Sequence, residues 1–522
     1  MGSTPGLIAV DVGSTRCKVA IVSPAGGVLA YAADEVPYVC PAPDWVEIDP
    51  ECWWELVCSL LRTAVARAGR RERWHPVAMA VTGLMHAPVL VDAQGRSLAP
   101  AQLWMDRRCR EEAQILAEAC ARVCASHGMR TPGTTTAVAK VLWLARHRPD
   151  VLRRARWVLM PKDFIRFRLT GEAATDPSDA AGTGMYAHAS GRWVESIVHA
   201  CGARLEWMPP ILPALSLAGR LRQDAAEQTG LPAGLPVAVG SSDTRATLLG
   251  SGAGRSESTC IYAGTAAWIA AVTPVTAAEQ QDPLFPGFRV RFCGATGTSG
   301  GAFSWLVRLF AGAKPPGSGD RVDYAALEAM ASLAPPGSDG LLFFPHLVGT
   351  RAPVHDPRAR GAWIGLTLAH GMPHLVRSCL EGVAFSIRRI VDASGEVAGN
   401  AACILAGGMV KSRLWCRILA SVLNRSLRTP TFPDAGLIGA AAMAAVAAGL
   451  APDGPSAATK LVQFGSVIAP DPEWADVYPQ TYRRYMALDD TVRHLTGASL
   501  QAGLIDDARS ETVQEGGSLS FQ

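Results

Sequence analysis

Short apolar runs separated by glycine-bearing polar turns open the chain. Leu7 to Val10, Lys18 to Val22 and Val28 to Ala33 read as strands, with turns at Asp11-Val-Gly-Ser-Thr15 and Pro24-Ala-Gly-Gly27. The spacing then becomes helical: Glu51 to Ala68 is amphipathic and carries Trp53 and Trp54 as core or cover. Val77 to Thr82 is strand again and ends at Gly83-Leu-Met-His-Ala87. Trp104 to Arg108 is expected to open a long helix, residues 137–170 to hold two helices around Trp157 to Met160, and Thr175 to Thr183 to be a polar loop. Cys260 to Ala270 repeats the opening motif as strand, Gly-Thr turn, strand, so 7–22 and 259–273 look like corresponding hairpins of two related halves. Pro373 to Ile390 reads as helix, and Ile404 to Ser412 as strand, Gly-Gly turn and helix start.

Alternating strands and helices over 522 residues predict an α/β protein of two domains. The expected division is 1–254, 255–497 and a polar, disordered tail from 498 to 522. Ala435 to Pro452 is uncharged and about long enough to span a bilayer. Its alanine and glycine content makes it weakly hydrophobic, so a closely packed buried helix is expected.

Residues 237–254 concentrate the chemistry. Val237 to Val239 ends a buried strand, Gly240 breaks it, Ser241 or Ser242 can cap a helix, and Asp243 falls in the first helical turn. There the helix dipole favours an ionised carboxylate, and crevices outside strand ends are where open α/β sheets bind ligands. A helix-start acid with no further role fits the same pattern. The first hairpin turn offers backbone N–H groups and the hydroxyls of Ser14 and Thr15 to phosphate oxygens. It also offers Asp11, the kind of carboxylate that anchors a hydrated Mg²⁺. An ordinary Asp-Gly hairpin turn looks the same.

The formal charge of +3 points to neither nucleic acid nor an anionic membrane as partner. The 13 cysteines form no Cys-x-x-Cys pair; Cys120 and Cys124 lie one turn apart without a completing set, and scattered thiols fit a reducing cytoplasm. The N-terminal apolar run is far too short for a signal peptide. No Gly-x-Gly-x-x-Gly opens a helix after the first strand, which argues against a dinucleotide oxidoreductase.

In this order, several motifs resemble the FGGY carbohydrate kinases, the xylulokinase branch most closely: Asp11-Val-Gly-Ser-Thr15, Asp49-Pro-Glu-Cys-Trp-Trp54, Met85-His86, Trp104-x-Asp106-x-Arg108 and Pro161-Lys-Asp163, then Ser178 to Thr183, Ser242-Asp243, Gly264-Thr265, Arg351-x-Pro353, Leu380-Glu-Gly-Val383 and Gly407-Gly408. The resemblance runs from about Leu7 to Leu450. It implies two ribonuclease-H-like domains of the actin-like ATPase type around a central cleft, sugar held mainly by the first and ATP by the second. It further implies Asp243 as catalytic base, Met85, His86, Asp106 and Thr244 on the sugar, and Asp11 holding Mg²⁺ through water. Gly13, Ser14, Thr15, Gly264, Thr265, Gly407 and Gly408 would face the nucleotide and its phosphates. ATP and a small sugar are the implied partners, and exposed edges on such domains are compatible with a homodimer.

The chain departs from that pattern around the base. Thr244 stands where the family has Asn, Leu84 precedes Met85-His86 instead of Gln, Ala87 follows it instead of Gly, Met105 replaces Asn, and Met409 replaces a third Gly. Arg245 could pair with an anionic substrate, although residues i and i+2 on a helix do not share a face. The expectation is ATP-dependent phosphorylation of a terminal hydroxyl of a ketose, a pentulose first. A sugar-acid or polyol kinase, and a non-catalytic sugar-binding protein on a kinase fold, stand as alternatives.

Overall fold

The computed structural model describes residues 2–276, 282–310, 324–395 and 402–510. It divides into two compact units. The first contains Met1–Arg255 together with Val275–Arg289 and Asp434–Gln463; the second contains Ser256–Pro274, Val290–Pro433 and Phe464–Gln522. The chain therefore returns twice to its first unit, whereas the sequence reading expected one division at Gly254.

In the first unit β1 (Thr4–Val12), β2 (Arg16–Val22) and β3 (Val28–Glu35) form an antiparallel meander. Leu7 to Val10 are fully enclosed, as a strand covered on both faces requires. Asp49 caps α1 (Pro50–Arg71) by accepting from the Glu51 N–H, and Pro50 occupies the first turn, where a missing N–H costs nothing. Trp53, Val57, Leu60, Leu61, Ala64 and Ala68 recur at helical spacing and pack into the same core as the sheet. β4 (Trp74–Gly83) then runs parallel to β1.

Between residues 137 and 170 the structure has three helices rather than two: α2 (Ala137–His147), the short Pro149–Arg154, and α3 (Pro161–Thr170). Pro149 and Pro161 each begin a helix, which divides the pattern. Thr175 to Thr183 is not wholly loop, because Asp176 caps a short helix over Pro177–Gly182. Trp104 to Arg108 is a turn, and helix begins only at Arg110.

β5 (Leu217–Arg220) and β6 (Pro236–Ala238) complete a six-stranded sheet in the order β5-β6-β4-β1-β2-β3. β6, β4 and β1 are parallel, so their carboxyl ends share one edge. α4 (Asp243–Gly250) leaves that edge.

The second unit repeats the arrangement. β7 (Ser258–Ala263) and β8 (Ala267–Pro274) form an antiparallel hairpin, with β9 (Phe288–Ala295) beyond it. α5 (Gly300–Phe310) and α6 (Met372–Ser394) follow. β10 (Ala402–Ala406) pairs parallel with β7, as β4 does with β1. α7 (Arg413–Leu423) and β11 (Leu427–Arg428) come next, the strand closing the sheet.

α8 (Ala435–Ala447) belongs to the first unit, where it packs on α4, β1 and β4. It is the closely packed alanine-rich helix expected. A methyl group on Gly439 would lie 1.9 Å from the Ala246 carbonyl oxygen, and one on Gly250 1.8 Å from that of Ala435. Helices this near admit no side chain at the crossing. Among the described residues no helix is long and apolar enough to cross a membrane. α9 (Val477–Ser510) covers the core of the second unit with Tyr478 and Tyr485. Its backbone runs past 498, where a disordered tail was expected to start; residues 511–522 lie outside the described residues.

Candidate active site

Gly240 turns the chain at the end of β6 with φ +79°, where a Cβ would sit 1.9 Å from the Val81 carbonyl oxygen. The Thr82 hydroxyl then donates to the Ser241 carbonyl at 2.8 Å, and Ser242 bridges to Gly83. These contacts deliver Asp243 as the first residue of α4. Both its own neighbour's donors go to one oxygen: the Thr244 N–H reaches Asp243 Oδ1 at 2.6 Å and the Thr244 hydroxyl at 3.1 Å. Crowding by protein raises the Asp243 carboxyl to about 6, the charge of Asp11 adds to the rise, and the Thr244 bonds and Lys18 oppose it. Part of its surface remains open to solvent.

Asp11 lies near the end of β1, opposite Lys18 in the hairpin register. Lys18 Nζ is 3.5 Å from Asp11 Oδ2 and 2.8 Å from Asp434 Oδ1, the residue that precedes α8. Burial raises the Asp11 carboxyl, Lys18 pulls it down and Asp434 pushes it up. The turn Gly13-Ser14-Thr15 lies beyond, partly to fully exposed. Sequence reasoning missed both Lys18 and Asp434. Lys18 was legible, because a tight turn at Gly13-Ser14 sets residue 18 across from residue 11. Asp434 carries no local signal.

Behind Asp243 stands a buried ionic network. The Ser242 N–H donates to Ser178 Oγ at 2.9 Å, and Ser178 Oγ donates to Asp176 Oδ2 at 2.5 Å. Lys162 Nζ lies 2.6 Å from Asp163, 3.1 Å from Asp176 and 3.2 Å from Asp179; Arg166 reaches Asp163 at 3.3 Å. Three carboxyls face two cations. Burial holds the Asp179 carboxyl far above its ordinary range, and its neutral form balances the charge.

Met85 and His86 follow β4. His86 adopts φ +69°, and its Nδ1 donates to the Gly182 carbonyl at 2.8 Å, which fixes the proton on that nitrogen. Met85 packs beside the same glycine. Asp106 is fully buried, with one oxygen taking the Val46 N–H at 2.7 Å and both taking the Arg108 guanidinium at 2.7–3.1 Å. Arg108 in turn reaches Glu47 at 2.6 Å and lies 3.7 Å over the Trp45 ring. This pair ties the 44–47 segment to the 104–108 turn. These bonds give Asp106 an architectural role. Leu84 lies in the core, and Met105 packs against it. Arg245 Nη1 is 2.6 Å from Asp282 Oδ2.

In the second unit Gly264 and Thr265 form the β7–β8 turn. Their carbonyls accept the backbone N–H groups of Gly300, Ser299 and Gly301 at 2.8, 2.8 and 2.9 Å, so the start of α5 fastens the turn. Gly407 ends β10 at φ +94°, and a helical turn over Gly408–Lys411 leads to Ser412, whose side chain caps α7. Met409 is buried in the core, which explains why a methionine is accommodated where a third glycine was expected.

Residues 7–250 match the N-terminal domain of the FGGY family of carbohydrate kinases, and residues 261–448 match its C-terminal domain. The chain belongs to the FGGY family of carbohydrate kinases. Xylulose kinase of Escherichia coli is 31% identical over 455 residues, covering 84% of this chain and 90% of that protein. Autoinducer-2 kinase of Salmonella choleraesuis is 29% identical, covering 95% and 96%. The crystal structure of xylulose kinase from Rhodospirillum rubrum superposes with a TM-score of 0.80 at 32% identity over 94% of this chain and 99% of the other. The fold is accordingly that of two sheet-plus-helix domains of the actin-like ATPase kind, and the chain is an ATP-dependent sugar kinase.

Proposed function

We propose that the chain transfers the γ-phosphoryl group of ATP to a terminal hydroxyl of a neutral ketose, a pentulose foremost, with Asp243 as the base. The observation that carries this is the state of Asp243. Thr244 occupies Oδ1 with two donors, and the carboxyl ionises near 6, within reach of working pH. Asp243 accepts the hydroxyl proton as the sugar oxygen bonds to the γ-phosphorus. The bond from that phosphorus to the bridging oxygen breaks, and ADP leaves with the electron pair. Phosphoryl transfer asks for little more than alignment and charge neutralisation.

Lys18 and the Gly13–Thr15 turn serve the phosphates, and Gly264-Thr265 with Gly407-Gly408 serve the nucleotide. Asp11 suits a hydrated Mg²⁺, since it is a partly open carboxylate beside that turn. When bound, Mg²⁺ supplies charge neutralisation at the phosphates. His86 and Met85 hold the sugar.

Arg245 separates the neutral sugar from the sugar acid. Its charge is matched by Asp282, so it offers no unbalanced cation to a carboxylate substrate. The autoinducer-2 kinase match spans 95% of this chain, which supports a second reading in which autoinducer-2 is the acceptor. An ADP-release screen over pentuloses, hexuloses, polyols, aldonic acids and autoinducer-2 tests the assignment. Turnover with a pentulose and none with aldonic acids is expected; turnover confined to aldonic acids would contradict it.

A further inference from the structure

Lys140 lies on α2 with its side chain fully buried. Its Nζ donates to the His86 carbonyl at 2.6 Å and to the Leu103 carbonyl at 2.7 Å, and no carboxylate pairs with it among the described residues. A buried lysine without a carboxylate partner is costly, and an apolar side chain of similar volume would fill the space more favourably. The two carbonyls it joins belong to separate segments: the Met85-His86 turn after β4, and the residue just before the Trp104–Arg108 turn.

His86 is also held from the other side. Its ring bonds to the Gly182 carbonyl, and the next carbonyl, that of Thr183, accepts the Val138 N–H at the start of α2 at 2.9 Å. The left-handed backbone at His86 is therefore fixed at its carbonyl and at its ring by two contacts that share α2. A residue other than glycine keeps that conformation only where its surroundings over-determine it.

We propose that Lys140 is a positioning residue for the sugar: by clamping the His86 carbonyl to that of Leu103 it fixes the backbone that aims the His86 imidazole. This rests on the reading of Met85-His86 as the sugar-holding pair. The clamp is sensitive to pH. Burial lowers the Lys140 ammonium to about 7, with Cys109 and Asp106 raising it and Arg107 and Arg108 lowering it further. Those are the titratable and charged groups that act on it. Above that pH the two charge-assisted bonds become weaker neutral ones.

Steady-state ADP release with D-xylulose as the probe sugar tests the clamp in wild type, Lys140→Met, Lys140→Arg and His86→Ala. Lys140→Met is expected to raise the sugar KM about tenfold while the ATP KM stays within about threefold, the size of a lost charge-assisted bond. The wild-type sugar KM is expected to rise as pH passes upward through about 7, and Lys140→Met to lose that rise. An unchanged sugar KM in Lys140→Met, alongside a raised one in His86→Ala, overturns the clamp and leaves the sugar-side reading standing. An unchanged sugar KM in both variants overturns that reading and the clamp with it. Should Lys140→Met not fold, Lys140→Arg carries the test, because arginine keeps the charge and does not titrate in this range. Wild-type pH dependence persisting in Lys140→Arg overturns the proposal.

Discussion

At the residue scale, Asp243, the proposed base, and Thr244 act together. Thr244 loads one carboxylate oxygen and burial raises the carboxyl to about 6, so the group sits close to the pH where it exchanges its proton. The raised group is protonated below about 6 and ionised above it. The turnover of the wild-type enzyme is therefore expected to fall about tenfold per unit as pH drops below that value, with the acid limb of the pH–rate profile as the readout. The same shift has a stability sign. Between the ordinary value of 3.8 and about 6 the folded chain binds the proton more readily than the unfolded one. That favourable contribution is full at low pH and is lost as pH rises through 6, so at pH 8 Asp243→Asn is expected to melt above wild type. A lower melting temperature would show that the carboxylate is needed by the fold. Arg245 is the other residue whose chemistry decides something. Asp282→Asn leaves its charge unmatched, and we expect the variant to gain measurable turnover of an aldonic acid that wild type ignores.

At the element scale, α4 is placed by backbone, not by large side chains. The Ala246 carbonyl meets Gly439 of α8 and the Ala435 carbonyl meets Gly250, which leaves no room for a β-carbon at either crossing. Gly439→Val is expected to cost more than ~3 kcal/mol, the scale of severe overpacking, read as a large fall in melting temperature. A small fall would mean that α8 can slide and that Asp243 is positioned some other way. The elements also show what pattern reading can reach. β1, β2 and the hairpin turn were legible because a strand covered on both faces must be apolar and a two-strand register follows from its turn. The Trp104–Arg108 turn was not, because its helix-like spacing hides the Asp106–Arg108 pair that folds it back on residues 44–47.

At the scale of the whole molecule, the duplication was legible and the return of two later segments to the first unit was not. Each sheet has an antiparallel hairpin with a parallel strand beside it, β1–β2 with β4 and β7–β8 with β10, and the two Gly-bearing turns announce this in sequence. The return of Asp434–Gln463 to the first unit depends on tertiary packing of an alanine-rich helix whose composition names no partner. For that reason the place of Asp434 beside Lys18 was invisible. Bound ATP should be felt by the entire chain: ATP with Mg²⁺ is expected to raise the melting temperature by mass action, with EDTA abolishing the part due to the metal.

The most direct test of the central claim is sugar-dependent ADP release by wild type and Asp243→Asn at pH 8, with binding of D-xylulose and ATP to both measured by calorimetry. The account predicts that the variant binds both ligands and turns over at least ~10²-fold more slowly. Near-normal turnover by Asp243→Asn would contradict it.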